Sequence, residues 1–456
     1  MDVTGSINNE EEGIESIENE NEEDVDYSEE RELVNDSCST KVLNTCEEPR
    51  DRYWVVYLLF YLFGITSLVP WNFLITANDY WMYKFRDVTP NNLTVYVRKT
   101  QFQAEFTSYL NVATAIPNLI FLILNSLFGH LVSVKSRLQG SLIVVTLSFL
   151  VTTSLVMVDT DEWQNTFFII TMVSVVIMTA ASAVFIGGLV GIASRFSKEY
   201  MAAFVSGQSL GGIIAAIAQI ISLAFKISPL HSALIYFCIA DFMVIASLIS
   251  YVLLYKIDFF TYHILRGSGG MGTNRHREVS ILLILKRIWV YAFSIFAVFG
   301  ISMAVYPAVT VLVESHPVTS GTDWNNIFFV PVVNYLIFNC GDYSGRLVAG
   351  FLLRPDNQWI IAGASLLRII GIPMLMLCNA QPRKHLPVIF LWDYEYILIM
   401  IVFAFTNGYL TNIIMINSTR VVEMHEREKA SSIIATMLSV GLTVGAAVGM
   451  LLVRLL

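Results

Sequence analysis

The chain has 456 residues, of which 55% are hydrophobic and 14% charged, and its mean hydropathy is +0.61. Soluble domains carry about 25% charged residues, so this composition excludes an ordinary soluble enzyme. The formal net charge of −9 arises from residues 1–50, which hold 17 Asp and Glu against three Lys and Arg, a net of −14 that leaves +5 for the remainder.

The acidic segment 1–50 comes first in chain order. It has too little apolar surface to form a core, and it lacks the charged, hydrophobic and cleavage regions of a signal peptide. We expect a disordered cytoplasmic tail, with the first apolar span starting translocation.

Eleven stretches of about 20 apolar residues follow, the length needed to cross a hydrocarbon core of about 30 Å. In lipid, the backbone N–H and C=O groups must form their hydrogen bonds within the protein. The pattern therefore predicts an all-α integral membrane protein with eleven transmembrane helices. The predicted spans are 53–77, 106–131, 138–158, 165–192, 200–225, 230–256, 287–314, 326–353, 358–379, 394–417 and 430–454.

The connection 257–286 is the one long internal loop, and it separates six spans from five. It predicts an N-terminal six-helix bundle at 51–256 and a C-terminal five-helix bundle at 287–456. Transporters commonly place the substrate path between two such bundles and interrupt the lining helices. Proline can supply such interruptions by freeing backbone carbonyls. Prolines lie within the first, second, seventh, eighth and ninth spans, at Pro70, Pro117, Pro307, Pro331 and Pro373.

Lysine and arginine in the loops predict the orientation. With the N-terminus in the cytoplasm, the inner side carries 18 of these residues and the outer side eight, which puts the C-terminus outside. The sequon Asn92-Leu93-Thr94 then lies in an outer loop, where we expect glycosylation at Asn92.

The eighth span places Asp342 and Arg346 four residues apart, on one face of one helix. An ionisable residue at bilayer depth must face a bundle interior or a water-filled cavity, and it marks a functional site by default. This face is the predicted path of a polar substrate.

Other local patterns carry no chemistry. The run Gly207-Gln208-Ser209-Leu210-Gly211 fits a hydrolase nucleophile pattern, but it lies inside an apolar helix and indicates a close helix-packing face. No phosphate-binding loop is present, which argues against an ATP-driven pump. We predict no catalytic residue, cofactor or metal, and no nucleic-acid partner.

Five stretches together carry a family resemblance. They are Pro70-Trp71-Asn72-Phe73, Ser206-Gly207-Gln208, Tyr306-Pro307-Ala308-Val309, Phe338-Asn339 with Asp342, Gly345 and Arg346, and Phe405-Thr406-Asn407-Gly408-Tyr409-Leu410. In this order on eleven spans, the chain resembles the equilibrative nucleoside transporters from about Tyr53 to Leu456. The resemblance implies a major-facilitator-like 6+5 arrangement. It also implies facilitative, sodium-independent transport of nucleosides by alternating access, with nucleobases as a further substrate class.

The resemblance also implies roles for individual residues. Trp71 would pack against the base, while Asp342 and Arg346 would contact ribose hydroxyls; alternatively, the two charges only neutralise each other and Trp71 only packs. The candidate substrate-binding residues are Trp71, Asn111, Tyr306, Asn339, Asp342 and Arg346. The candidate structural or pathway residues are Pro70, Asn72, Gly207, Gln208, Pro307, Arg368, Asn407 and Gly408. For Arg368 we expect a partner within the second bundle rather than substrate contact.

One position departs from the family pattern. Well-studied cell-surface members carry a base-reading glutamine where this chain has Ile186, so base selectivity comes from Asn111 or Asn339, or is relaxed. The plasma membrane is the expected location. The alternative is a proton-coupled nucleoside transporter of a late endosome or lysosome, for which Asp241 is a candidate titrating group. The tail segment 29–34 approximates an acidic dileucine signal and is a candidate site for trafficking adaptors. A receptor or channel is disfavoured, since no ring of like charges or filter loop is evident.

Overall fold

The structure, a computed structural model, describes residues 49–86, 101–224, 228–269, 281–316, 323–351, 357–381, 383, 386–423 and 426–456. The acidic tail before residue 49, the candidate sorting signal at 29–34 and Asn92 lie outside these residues. The disordered tail, the sorting signal and the glycosylation of Asn92 therefore stay predictions.

The described chain is almost entirely helical. Its α-helices are α1 Val55–Thr76, α2 Asn78–Lys84, α3 Gln101–Phe128, α4 Val134–Val156, α5 Gln164–Arg195, α6 Lys198–Ala224, α7 Pro229–Leu254, α8 Asp258–Gly269, α9 Ile281–Val305, α10 Phe338–Phe351, α11 Gln358–Leu367, α12 Gly371–Met376, α13 Asp393–Arg420 and α14 Arg427–Leu455. Two π-helical segments, Trp324–Phe328 and Val330–Ile337, precede α10, and a 3₁₀ turn, Arg368–Ile370, joins α11 to α12. The predicted loop 257–286 therefore contains a helix, α8.

Within the described residues, ten helices are long and apolar enough to cross a membrane. The remaining predicted span, 326–353, corresponds to two π-helical segments followed by α10, which together run from Trp324 to Phe351. Pro331 lies in the second π segment. Proline removes an amide donor and clashes with the preceding turn, which explains a wider helix here. By contrast, α1 and α3 continue through Pro70 and Pro117.

Helices pack mainly within each part of the chain, and a few contacts then join the two parts. Helix α1 packs on α6 and α5 packs on α3 and α4, while α9 packs on α14 and α10 on α13. Two seams connect these groups: α6 meets α10, and α3 and α5 meet α14. The central cavity described below lies between these seams.

The α1–α6 crossing is close because glycines meet there. A Cβ atom on Gly207 would lie 2.3 Å from the carbonyl oxygen of Tyr61 and 3.1 Å from the Cα of Gly64. This confirms that the Gly207–Gly211 run is a packing face and not a nucleophile turn.

Different polar contacts hold the two ends of the helix bundle. At one end, here called the Arg195 end, Arg195 pairs with Glu428 at 2.8 Å and Arg287 with Glu426 at 2.9 Å, which ties α5 and α9 to the start of α14. At the other, the Asp393 end, Asp393 accepts hydrogen bonds from Ser315 Oγ at 2.6 Å and from the His316 backbone amide at 2.9 Å.

Large apolar side chains cover the outer surface of the helices. Phe242 is 73% exposed, Phe351 87% and Leu147 58%. Such exposure is costly in water, but it matches a surface that faces lipid tails.

Candidate functional site

A cavity of about 280 Å³ lies among the long helices. This volume is near the lower end of small-molecule sites, roughly 300–1,000 Å³, and suits one small ligand. All six predicted substrate-binding residues line it: Trp71, Asn111, Tyr306, Asn339, Asp342 and Arg346. So do five of the predicted pathway residues, Pro70, Asn72, Gln208, Pro307 and Asn407, whereas Gly207, Arg368 and Gly408 are not among the lining residues.

The charged pair on α10 forms one wall of the cavity. Arg346 Nε donates to Asp342 Oδ2 at 2.8 Å, and the two residues are 5% and 4% exposed. Helix α6 supplies further hydrogen-bond partners for both residues. Ser209 Oγ donates to Asp342 Oδ2, and Arg346 Nη1 donates to the carbonyl oxygen of Val205. Gln208 Oε1 lies 3.5 Å from Arg346 Nη1, a long contact for a hydrogen bond. The pair therefore bridges two helices from different parts of the chain at the cavity surface.

Asn407 links the pair to a second buried cation. Its Nδ2 donates to Asp342 Oδ1 at 2.7 Å, and its Oδ1 accepts from Ser302 Oγ at 2.7 Å. Arg368 lies behind it, with Nη2 at 2.8 Å from Ser302 Oγ and 3.3 Å from Asn407 Oδ1, and with Nη1 at 2.8 Å from the Phe403 carbonyl. Arg368 thus meets partners in the second part of the chain, as expected, and supports the site from outside the cavity.

Gly408 allows this network to form. A Cβ atom at this position would lie 1.8 Å from the carbonyl oxygen of Asp342, in direct collision with the backbone. The glycine therefore lets α13 approach α10 closely enough for its neighbour Asn407 to reach the carboxylate.

Aromatic and aliphatic side chains form much of the remaining cavity surface. Tyr306 stacks on Phe338 with ring centroids 3.7 Å apart and planes within 10°. Half-buried Trp71 and Ile186 also line the cavity. The side chain of Ile186 therefore gives a ligand in the cavity an apolar surface and no hydrogen-bonding group.

Helix α3 presents amides to the cavity, and sequence reasoning found one of them and missed the other. Asn111 was predicted, whereas Asn118 was not, although both line the cavity. Asn118 Nδ2 donates to Ser439 Oγ on α14 at 2.9 Å. The seven-residue spacing of two asparagines in an apolar helix was the available signal, since it places both on one face.

Asn339 lines the cavity too, but its amide is partly occupied. Its Nδ2 donates to the carbonyl of Tyr335 at 2.9 Å, one turn earlier.

Asp241 is not a cavity residue. It is 6% exposed and accepts a hydrogen bond from Thr153 on α4 at 2.7 Å, while its Oδ1 has no partner among the described residues.

Solved structures of the major facilitator superfamily share this fold. The proton:xylose symporter XylE bound to 6-bromo-6-deoxy-D-glucose matches with a TM-score of 0.60 and 12% identity, over 87% of this chain and 88% of that one. The human organic anion transporter MFSD10 matches with a TM-score of 0.52 and 11% identity, over 89% and 95% of the two chains. These likenesses establish that the chain has the major facilitator fold.

Sequence comparison identifies the family. The model of the nucleoside transporter family matches residues 172–280 and 270–454. Equilibrative nucleoside transporter 1 of Rattus norvegicus is 32% identical over 459 residues, covering 90% of this chain and 99% of the relative. Equilibrative nucleoside transporter 2 of Homo sapiens is 30% identical over the same length and coverage. The chain belongs to the equilibrative nucleoside transporter family and is a multi-pass membrane transporter, not an enzyme.

Proposed function

We propose that the protein carries nucleosides across a membrane, down their concentration gradient, by alternating access of its central cavity. The observation that carries this proposal is the buried Asp342–Arg346 pair at the cavity surface. The family relationship supports the substrate class, because the relatives are named as equilibrative nucleoside transporters.

The charged wall suits the sugar. Vicinal ribose hydroxyls can donate to the Asp342 carboxylate and accept from the Arg346 guanidinium, and such charge-assisted bonds are about twice as strong as neutral ones. The 3.5 Å contact between Arg346 and Gln208 is the weakest in the network, so a substrate hydroxyl can replace it. Asn407 and Arg368 keep the carboxylate in place while this exchange occurs.

The apolar surfaces suit the base. A nucleobase has a flat face on which an aromatic ring can pack, and Trp71 offers such a ring in the same cavity. Tyr306 is held by its stack on Phe338 and adds a second aromatic surface.

The bundles 51–256 and 287–456, joined by the segment 257–286, are proposed to rock about this cavity. The contacts support this division, because few seams join the two groups of helices. Of the pathway residues, Pro70 and Asn72 lie on the α1 wall and Pro307 follows the end of α9.

We place the protein in the plasma membrane with its N-terminus in the cytoplasm and its C-terminus outside. The lysine and arginine balance of 18 inside against eight outside supports this orientation. The Arg195 end of the bundle would then be cytoplasmic.

Uptake into proteoliposomes tests the function. Purified protein is reconstituted, and the uptake of radiolabelled uridine and adenosine is measured at symmetric pH 7.4 and with an imposed acid gradient. We expect saturable uptake without a gradient, and its loss in Asp342→Ala and Arg346→Ala variants that still fold. Uptake only under the acid gradient would replace the facilitative mechanism with proton coupling. No flux of either nucleoside in either condition would refute the substrate class.

A further inference from the structure

We infer that Asn118 reads the edge of the nucleobase, accepting a hydrogen bond from a base N–H group, and that Ser439 is the positioning residue that aims it. This inference rests on the proposed function and names the specificity determinant of the same cavity.

Asn118 lies on a different wall from the charged pair. It lies on α3, which packs against α14, whereas Asp342 and Arg346 lie on α10, which packs against α6 and α13. A nucleoside has its sugar at one end and its base at the other. A sugar bound to α10 therefore directs the base toward the walls that α10 does not form, and Asn118 lies on one of them.

Ser439 fixes the direction in which Asn118 points. The serine is fully buried on α14, and its Oγ accepts from Asn118 Nδ2 at 2.9 Å. This bond uses the nitrogen side of the amide. The carbonyl oxygen Oδ1 accepts no hydrogen bond from any residue within the described ranges. Polar atoms inside proteins normally have a hydrogen-bond partner, so this oxygen is available to accept a hydrogen bond from a ligand in the cavity.

Other residues that line the cavity are less suited to reading the base. Ile186 lines the cavity, but its side chain cannot form a hydrogen bond. Asn339 lies on α10 with the charged pair, on the wall assigned to the sugar. Asn111 lies two turns from Asn118, about 10 Å along α3 at 1.5 Å per residue, and its Oδ1 is buried with no partner in the described chain. Among Asn111, Asn118 and Asn339, Asn118 is thus the amide whose orientation another helix holds.

An acceptor at this position predicts a particular selectivity. Adenine and cytosine carry an exocyclic amino group on the pairing edge, and uracil carries a ring N3–H, so all three can donate to one carbonyl oxygen. The site would therefore accept purine and pyrimidine nucleosides alike. It would discriminate against analogues that lack this hydrogen, such as 3-methyluridine and purine riboside.

Competition for uridine uptake in proteoliposomes tests this. For the wild type, we expect 3-methyluridine to compete about tenfold less well than uridine, and purine riboside about tenfold less well than adenosine, the effect of one hydrogen bond. Asn118→Leu should reduce both ratios to about one, while the preference for uridine over 2′,3′-dideoxyuridine, which depends on the sugar, stays unchanged. Ser439→Ala should reduce the base ratios partly, because the amide is no longer held.

Thr114→Val is the matched control. Thr114 lines the same wall, but its hydroxyl donates to backbone oxygens of its own helix, at 3.0 Å to both Leu110 and Asn111. Its base ratios should equal those of the wild type. Asn118→Ser is a second variant, with a side chain too short to bridge to both α14 and the base, and it should repeat the loss seen with leucine.

The outcomes distinguish failure of the role of Asn118 from failure of nucleoside transport itself. Equal competition by uridine and 3-methyluridine in the wild type would overturn the role of Asn118 and leave nucleoside transport standing. Ratios that persist in either Asn118 variant would do the same. A wild type without saturable nucleoside uptake would overturn the proposed function, and this inference with it.

Discussion

The Asp342–Arg346 pair allows a structural role to be separated from substrate contact by a double-mutant cycle. Each residue is about 5% exposed, and Arg346 Nε lies 2.8 Å from Asp342 Oδ2. Asp342→Asn leaves the guanidinium buried without a counter-charge. It also places an amide NH₂ where Ser209 or Asn407 needs an acceptor. Removal of one partner of such a pair costs about 3–5 kcal/mol of folding stability.

Arg346→Met should cost a similar amount, because it leaves the carboxylate unpaired. The double variant Asp342→Asn with Arg346→Met removes both charges, so its loss should be smaller than the sum of the single losses by up to about 3 kcal/mol. Unfolding by dodecyl sulfate in mixed micelles measures these stabilities. Uridine uptake per folded molecule in proteoliposomes measures function.

If both charges bind the substrate, the double variant regains stability but not transport. Recovery of uptake in the double variant, in step with its stability, would refute the reasoning. The pair would then serve to hold α10 against α6, and the ribose contacts would have to be sought elsewhere.

Three further predictions follow from single contacts. Arg368→Gln should raise the KM for uridine by about threefold to tenfold with folding retained, because Asn407 loses its support from behind; an unchanged KM would contradict this. Gly207→Ala should lower stability by about 1–3 kcal/mol through its collision with the backbone of α1, whereas Gly140→Ala, with nothing within 4 Å of the new Cβ, should not. Asp241→Asn should keep uptake at pH 7.4, because an amide oxygen can still accept from the threonine hydroxyl; loss of uptake in a folded variant would tie this carboxyl to transport.

The sequence was sufficient to predict the all-helical membrane architecture. Runs of about 20 apolar residues located the membrane helices, because the thickness of the hydrocarbon core sets their length and lipid forbids an unpaired backbone. It was also sufficient for the charged pair, since the cost of an ion in lipid makes Asp342 and Arg346 conspicuous and their four-residue spacing places them on one face. Motif resemblance then selected residues that the structure brings to one cavity.

The partners of those residues depended on the tertiary structure. Asn118 and Ser439 are 321 positions apart, Arg346 and Val205 141, and Arg368 and Asn407 39. Hydropathy and helical period describe one segment at a time, so they fix which face of a helix is polar but not which neighbour it meets. The rotation and depth of each helix follow from close approaches, such as that of Gly207 in α6 to α1 and that of Gly408 in α13 to α10. These approaches arise only when all the helices pack together. For this reason the sequence revealed the charges, while the structure alone showed that Asn407 and Arg368 hold them and that Ser439 orients Asn118.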